Sequence, residues 1–282
     1  MESSGVTTWQ PLDIFSPAPV VHKPFALVIL NQELKLPLYL YQQLWLNSSF
    51  IIAADGGANR LYHLSNKFSA LFSNGLSPPP NFPLNAVIGD LDSLLPHVRQ
   101  HYEEKGIPII EDEDQYSTDF TKAVKYIRNS LERKDIDIVV LGGLGGRVDQ
   151  GLSVLHHLYL FQESEGYKEG RMYLLSSEAV TFVLKTGKHE IKAKERWIGI
   201  GSDGKGIEKI GDIAFGKHVG ILPLKGESMI TTKGLEWDVK DWKTVFGGSV
   251  STSNHVKEEV VSVETSEDVL FTIDLDFEGP GS

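Results

Sequence analysis

The chain has 282 residues, 41% apolar and 23% charged, which suffices for two domains or one large elaborated one and lies far from the composition of a disordered segment. It contains no cysteine, which excludes disulfides, thiolate catalysis and cysteine-ligated metal centres. A formal net charge of −11 without clustered Lys and Arg excludes a broad nucleic-acid face, although a metal, backbone amides or a few placed arginines could still hold phosphate. Residues 1–20 lack both a basic n-region and an apolar h-region and carry Glu2 and Asp13, so they are expected to form a loose extension of a cytoplasmic chain. The longest apolar runs, at 25–30 and 136–141, are strand-sized, far below the roughly 20 residues of a membrane span, so no membrane association is expected.

From residue 25 the pattern alternates short β-branched runs with segments of helical period. Strands are expected at 25–30, 50–54, 85–88, 107–110, 136–141 and 172–176, and their continuous apolar character suits buried parallel strands in βαβ connections. A helix is predicted over 119–132, where Phe120, Ala123, Val124, Ile127 and Leu131 recur at 3- and 4-residue spacing behind Ser117 and Thr118. A second follows Gln150, with Leu152, Leu155, His156 and Tyr159 expected on one face and His157 read as an ordinary helix residue. The proline-rich run at 74–83 reads as a surface insertion. After about residue 179 helical period vanishes and short alternating runs at 181–184, 197–200, 219–222, 256–263 and 269–275 are punctuated by turns, as in an antiparallel β-sandwich. The expected organisation is therefore an extension at 1–20, a Rossmann-like α/β domain with a mostly parallel sheet at 21–178, and a β-sandwich domain at 179–282.

Chemistry collects where the predicted parallel strands end, the edge at which open α/β sheets bind ligands. Ala54 leads into Asp55-Gly56-Gly57-Ala58-Asn59, and Ile88 into Gly89-Asp90-Leu91-Asp92-Ser93. The fourth strand leads to Asp114, Gln115, Thr118 and Asp119, and the fifth to Gly142-Gly143-Leu144-Gly145-Gly146-Arg147-Val148-Asp149-Gln150. Singly, each is a common turn or a helix-capping segment. Together, Asp55, Asp90, Asp92, Asp119 and Asp149 at one edge would disfavour one another's ionisation unless a hard divalent cation such as magnesium neutralised them. The glycine-rich run offers exposed amides to an anion, without matching a Walker A or dinucleotide fingerprint, and Arg147 is the natural charge partner for a phosphate. These features point to phosphoryl-type transfer from a metal-bound polyphosphate and leave the acceptor open.

At these four segments the chain resembles thiamine pyrophosphokinases of the eukaryotic type, whose signatures Asp-Gly-Gly-Ala-Asn, Gly-Asp-x-Asp-Ser and Asp-Gln-x-x-Thr-Asp-Phe-x-Lys are matched at 55–59, 89–93 and 114–122. The 142–150 run completes the series, with Val148 and Leu91 standing where Phe is common. The segments Thr231-Thr232-Lys233-Gly234-Leu235-Glu236-Trp237 and Ser251-Thr252-Ser253-Asn254 resemble family segments of the thiamine pocket. The resemblance implies ATP and thiamine as substrates, magnesium as cofactor, and a homodimer with thiamine sites between subunits. It implies a catalytic set of Asp90, Asp92, Asp119 and Arg147, with Asp90, Asp92, Asp119 and Asp149 on the metal. ATP contacts would come from Asp55, Gly56, Asn59, Gln115, Thr118, Arg147, Asp149 and Gln150, and thiamine contacts from Trp237, Ser253 and Asn254. A metal-dependent phosphohydrolase and a catalytically silent thiamine or nucleotide sensor are the competing readings, disfavoured respectively by the lack of metal-liganding His motifs and by the retention of every carboxylate.

Overall fold

In the computed structural model the described residues are 5–16, 24–71, 82–133, 135–202 and 207–278. The chain begins with β1 (Thr7–Trp9) and a 3₁₀ turn at Pro11–Phe15. Then come β2 (Phe25–Ile29), α1 (Leu38–Asn47), β3 (Ser48–Ala54), α2 (Gly57–Leu71), β4 (Ala86–Gly89), α3 (Pro96–Glu104) and β5 (Ile109–Glu111). They are followed by α4 (Asp119–Ser130), β6 (Asp137–Leu141), α5 (Val148–Leu160) and β7 (Met172–Leu175). The remainder is strands: β8 (Ala179–Leu184), β9 (Gly187–Lys192), β10 (Arg196–Ser202), β11 (Ile207–Leu222), β12 (Ser228–Lys233), β13 (Trp242–Thr244), β14 (Ser251–His255), β15 (Val260–Thr265) and β16 (Val269–Glu278). The chain divides into two compact units, Val21–Ser177 and Met1–Val20 together with Glu178–Ser282.

In the first unit six parallel strands run in the order β7-β6-β2-β3-β4-β5. The order reverses between β2 and β6, which creates a crevice beyond their carboxyl ends. Strands β2 and β4 are buried along their whole length, as continuous apolar runs covered on both faces require. Helix α4 lies over β2, β3 and β4 and buries Phe120, Val124 and Ile127, each contributing on the order of 1.5–3 kcal/mol through apolar area removed from water. Its start is fixed by Thr118, whose hydroxyl accepts the Thr121 N–H at 3.2 Å. Helices α1, α2 and α3 occupy the segments between the strands, as the expected βαβ connections require. The insertion expected at 74–83 falls mostly outside the described residues.

Helix α5 corrects one expectation. Leu152 is 58% exposed and His156 is also exposed, whereas His157 and Leu158 are buried. Leu155 and Tyr159 of the expected face are half-buried, and the inward face is centred instead on His157 and Leu158, with His157 bonded to Thr118 and Thr121 at the start of α4.

The second unit holds two sheets, β1-β9-β15-β12-β13 and β10-β11-β16-β8 with β14 paired to β11. Pairing is antiparallel except between β1 and β9. The single strand expected at 256–263 begins later, as β15 from Val260, after a turn that separates it from β14. Residues 7–15 are likewise not a loose extension. Trp9 is completely buried, stacks on Phe182 of β8 at 4.4 Å between ring centroids, and donates its indole N–H to His189 Nδ1 of β9 at 3.1 Å. Phe182 in turn lies 5.2 Å from Phe271 of β16, so this aromatic column ties the two sheets together. Leu12, Ile14 and Phe15 complete the plug.

Candidate active site

Four segments at the carboxyl edge of the parallel sheet converge on a cleft of about 620 Å³. Asp55 follows β3 in a left-handed conformation (φ 43°), with its N–H bonded to the Ile88 carbonyl of β4 at 2.8 Å. Asp90 follows β4, and Asp119 is the first residue of α4. Carboxylate oxygens of these three residues lie within 4.8 Å of one another. Gly89 permits this approach, since a Cβ there would stand 2.7 Å from Asp55 Cβ and 2.9 Å from Asp119 Oδ1. Asp119 Oδ1 also accepts the Asp90 N–H at 3.3 Å.

The cluster is electrostatically frustrated. Burial, followed by the repulsion of Asp119 and Asp92, holds the Asp55 carboxyl above the usual aspartate range, and burial with Asp90 does the same to Asp119. Asp55 Oδ2 accepts the Ser93 N–H at 3.3 Å, while Oδ1 is buried without a hydrogen-bond partner. A buried carboxylate with an unpaired oxygen, beside two more carboxylates, fits a hard divalent cation, which would supply the missing positive charge and take oxygen ligands. Lys122, buried on α4, stands 3.6 Å from Asp119 Oδ1 but donates at 2.7 Å to the Asp112 carbonyl, so it supplies only part of that charge.

The remaining sequence-predicted residues divide. Asp92, Gln115, Thr118, Arg147, Gln150 and Gly56 line the same cleft. Asp92 is exposed at its rim, where it accepts the Ser93 hydroxyl at 2.8 Å, and lies outside the three-carboxylate cluster. Asp149 is in neither the lining nor the cluster; its two oxygens take Arg147 Nε and Nη2 at 3.1 and 2.6 Å, and that pairing holds its pKa down. Asn59, expected on the nucleotide, does not line the cleft. Its amide donates to the Ser93 carbonyl at 2.7 Å and accepts the Leu95 N–H at 3.1 Å, fixing the loop that carries Asp90 and Asp92.

Reading along the sequence missed Asn31, Gln32, Ser153 and His157, which also line the cleft. Asn31 and Gln32 follow β2 at the point where the strand order reverses, so the strand-end rule applied to β2 would have found them. As neutral amides they carried no charge signal. Gln32 packs against the glycine loop, where a Cβ on Gly142 (φ 74°) would lie 3.1 Å from Gln32 Cβ.

In the second unit Trp237 is 57% exposed. Asn254, buried, clamps its backbone, accepting the Trp237 N–H at 3.1 Å and donating to the Trp237 carbonyl at 2.9 Å. Its side chain is thereby committed to holding the Trp237 loop. His255, held by Glu236 at 2.6 Å, packs against the indole with ring centroids 5.0 Å apart. Ser253 is exposed beside them with φ 54°.

Residues 41–167 match the family Thiamin pyrophosphokinase, catalytic domain, and residues 188–270 match Thiamin pyrophosphokinase, vitamin B1 binding domain. The chain belongs to the thiamin pyrophosphokinase family. Within it, Thiamine pyrophosphokinase 1 of Arabidopsis thaliana is 35% identical over 261 residues, covering 89% of this chain and 86% of its own length. Thiamine pyrophosphokinase of Saccharomyces cerevisiae is 28% identical over 296 residues, covering 88% and 85%. Thiamin pyrophosphokinase from Candida albicans superposes with a TM-score of 0.74 at 27% identity, covering 98% of this chain and 95% of the other. The two family regions fall inside the two compact units, and the three-carboxylate cleft lies wholly in the catalytic-domain region except for Asn31, Gln32 and Leu30.

Proposed function

We propose that this protein transfers the pyrophosphoryl group of ATP to the hydroxyl of thiamine, giving thiamine diphosphate and AMP. The observation that carries the proposal is the Asp55, Asp90 and Asp119 cluster with its orphaned buried oxygen, in a member of the thiamin pyrophosphokinase family. A magnesium ion held by these carboxylates, with Asp92 at the rim as a further ligand, would neutralise polyphosphate charge and template the displacement.

The chain's own residues orient the reactants. Arg147, locked in a fork by Asp149, keeps its remaining N–H groups for phosphate oxygens, and Gln115, Thr118 and the amides of the Gly142–Gly143 turn offer further donors to the same group. Asp149 is thus a positioning residue for Arg147, a revision of its expected place on the metal. Asp55 and Gly56 shape the nucleotide side of the cleft. The thiamine hydroxyl oxygen forms a bond to the β-phosphorus as the bond from that phosphorus to the α,β-bridging oxygen breaks, and AMP leaves with that oxygen. The hydroxyl proton passes to Asp119 or Asp90. Positioning of the two substrates supplies most of the acceleration, because a loose phosphoryl transition state makes little demand on a base. Trp237, exposed on a backbone held by Asn254, suits stacking on a cationic heteroaromatic ring, with Ser253 beside it. A cytoplasmic homodimer is part of the proposal; among the described residues no helix is long and apolar enough to cross a membrane.

The test is AMP formation by purified protein with magnesium-ATP, with thiamine present or omitted. Thiamine-dependent AMP with equimolar thiamine diphosphate is the expected result. AMP or phosphate released equally without thiamine would replace the transferase with a hydrolase, and tight thiamine binding without turnover would replace it with a sensor.

A further inference from the structure

We propose that Thr121 and His157 are positioning residues that let the Thr118 hydroxyl change partners, bonding the His157 ring in the empty cleft and a phosphate oxygen of the nucleotide in the filled one. The inference rests on Thr118 being a phosphate contact, as proposed above.

Hydrogen-bond accounting carries it. His157 is buried, which lowers its pKa and favours the neutral ring, and its Nδ1 lies 2.6 Å from the Ser153 carbonyl, a group that only accepts, so in the neutral ring Nδ1 bears the hydrogen and Nε2 is the acceptor. Two hydroxyls compete for that one lone pair, Thr118 Oγ1 at 2.9 Å and Thr121 Oγ1 at 3.0 Å, and they lie 3.1 Å from each other. Thr118 is open to the cleft, whereas Thr121 is buried.

Two arrangements share the same heavy-atom positions. In one, Thr118 donates to Nε2 and Thr121 donates to Thr118 Oγ1. In the other, Thr121 donates to Nε2 and the Thr118 hydrogen is free to meet an anion. Only the second offers a donor to a phosphate. Without the Thr121 hydroxyl, Thr118 could reach the phosphate only by leaving the buried Nε2 unpaired, which carries the full desolvation penalty of that nitrogen. Sequence pattern gives no hint of this triangle, since Thr121 sits at a free position of the Asp-Gln-x-x-Thr-Asp-Phe-x-Lys signature and His157 lies 36 residues beyond it.

The experiment is a double-mutant cycle read by calorimetric titration with the magnesium complex of α,β-methylene ATP, in which the scissile bridge cannot transfer. Thr121→Val is expected to weaken binding about tenfold, and Thr121→Ser to restore it. Thr118→Val should weaken binding as well, and Thr118→Val with Thr121→Val no further than Thr118→Val alone. Independent, multiplying losses would make Thr121 merely structural and overturn the inference while leaving Thr118 as a phosphate contact. Unchanged binding in Thr118→Val would instead remove that contact and the inference with it. In a His157→Phe background, which deletes the competing acceptor among the neighbouring Phe120 and Phe161 rings, Thr121→Val should cost nothing; a persisting tenfold loss would refute the role of the ring.

Discussion

Asp55 illustrates how a single side chain can serve function at the expense of the fold. Its Oδ1 is buried and unpaired, and its carboxyl is held above the ordinary aspartate value chiefly by burial. The sign of the pH dependence follows. Between the ordinary value and the raised folded value the native state binds more protons than the unfolded one, so the stability contributed at Asp55 and Asp119 is present at lower pH and declines as pH rises through that window. A divalent cation bound to the cluster would offset the decline. Replacing Asp55 with Asn should therefore raise the stability of the metal-free protein at pH 7 by about 1 kcal/mol, or roughly 2–4 °C for a chain of this size. It should also abolish the magnesium-dependent rise in melting temperature and lower turnover at least about a hundredfold. Paired melts with magnesium and with chelator decide the matter: a variant that melts lower in chelator, or that keeps the magnesium shift, would show that Asp55 is a structural residue.

Among the elements, β1 and the 3₁₀ turn that follows it have the clearest energetic consequence. Three residues of strand look negligible, but they carry Trp9 into the core of the second unit, where it stacks on Phe182 and bonds His189. Trp9→Ala should cost about 3–5 kcal/mol, the range for deleting a large buried aromatic side chain. Urea unfolding measures it, and a loss below about 1 kcal/mol would return residues 7–15 to the status of a passive tail. Helix α4 shows an element acting on the site more directly: its Thr118 cap fixes where the helix begins, and hence where Asp119 stands relative to Asp55 and Asp90.

For the molecule as a whole, a net charge of −11 requires that positive charge for polyphosphate binding be supplied locally, by Arg147 in the cleft and, in the proposed function, by a cation on the carboxylate cluster. The proposed assembly can be weighed directly. A chain of 31.3 kDa that forms a homodimer should sediment at twice that mass at micromolar concentration, and a single species at the monomer mass would require the thiamine site to be complete within one chain.

The parallel strands, helix α4 and the ordered series of Asp-rich segments were legible from the sequence, because each depends on local period, capping and strand-end position, which follow from covalent order and the burial of apolar runs. The sequence could likewise nominate Asp55, Asp90 and Asp119 one by one, and the family signatures joined them. Other features depended on which surfaces meet. The place of residues 7–15 and the face that α5 turns inward followed from packing partners far away in the chain. So did the pairing of Asp149 with Arg147 and the diversion of Asn59 and Asn254 to loop backbones. A side chain's periodicity tells which face of an element it occupies; whether that face finds apolar surface, a lone pair or solvent is settled only when the elements pack, and that choice brought His157, read from the sequence as an ordinary helix residue, into the cleft.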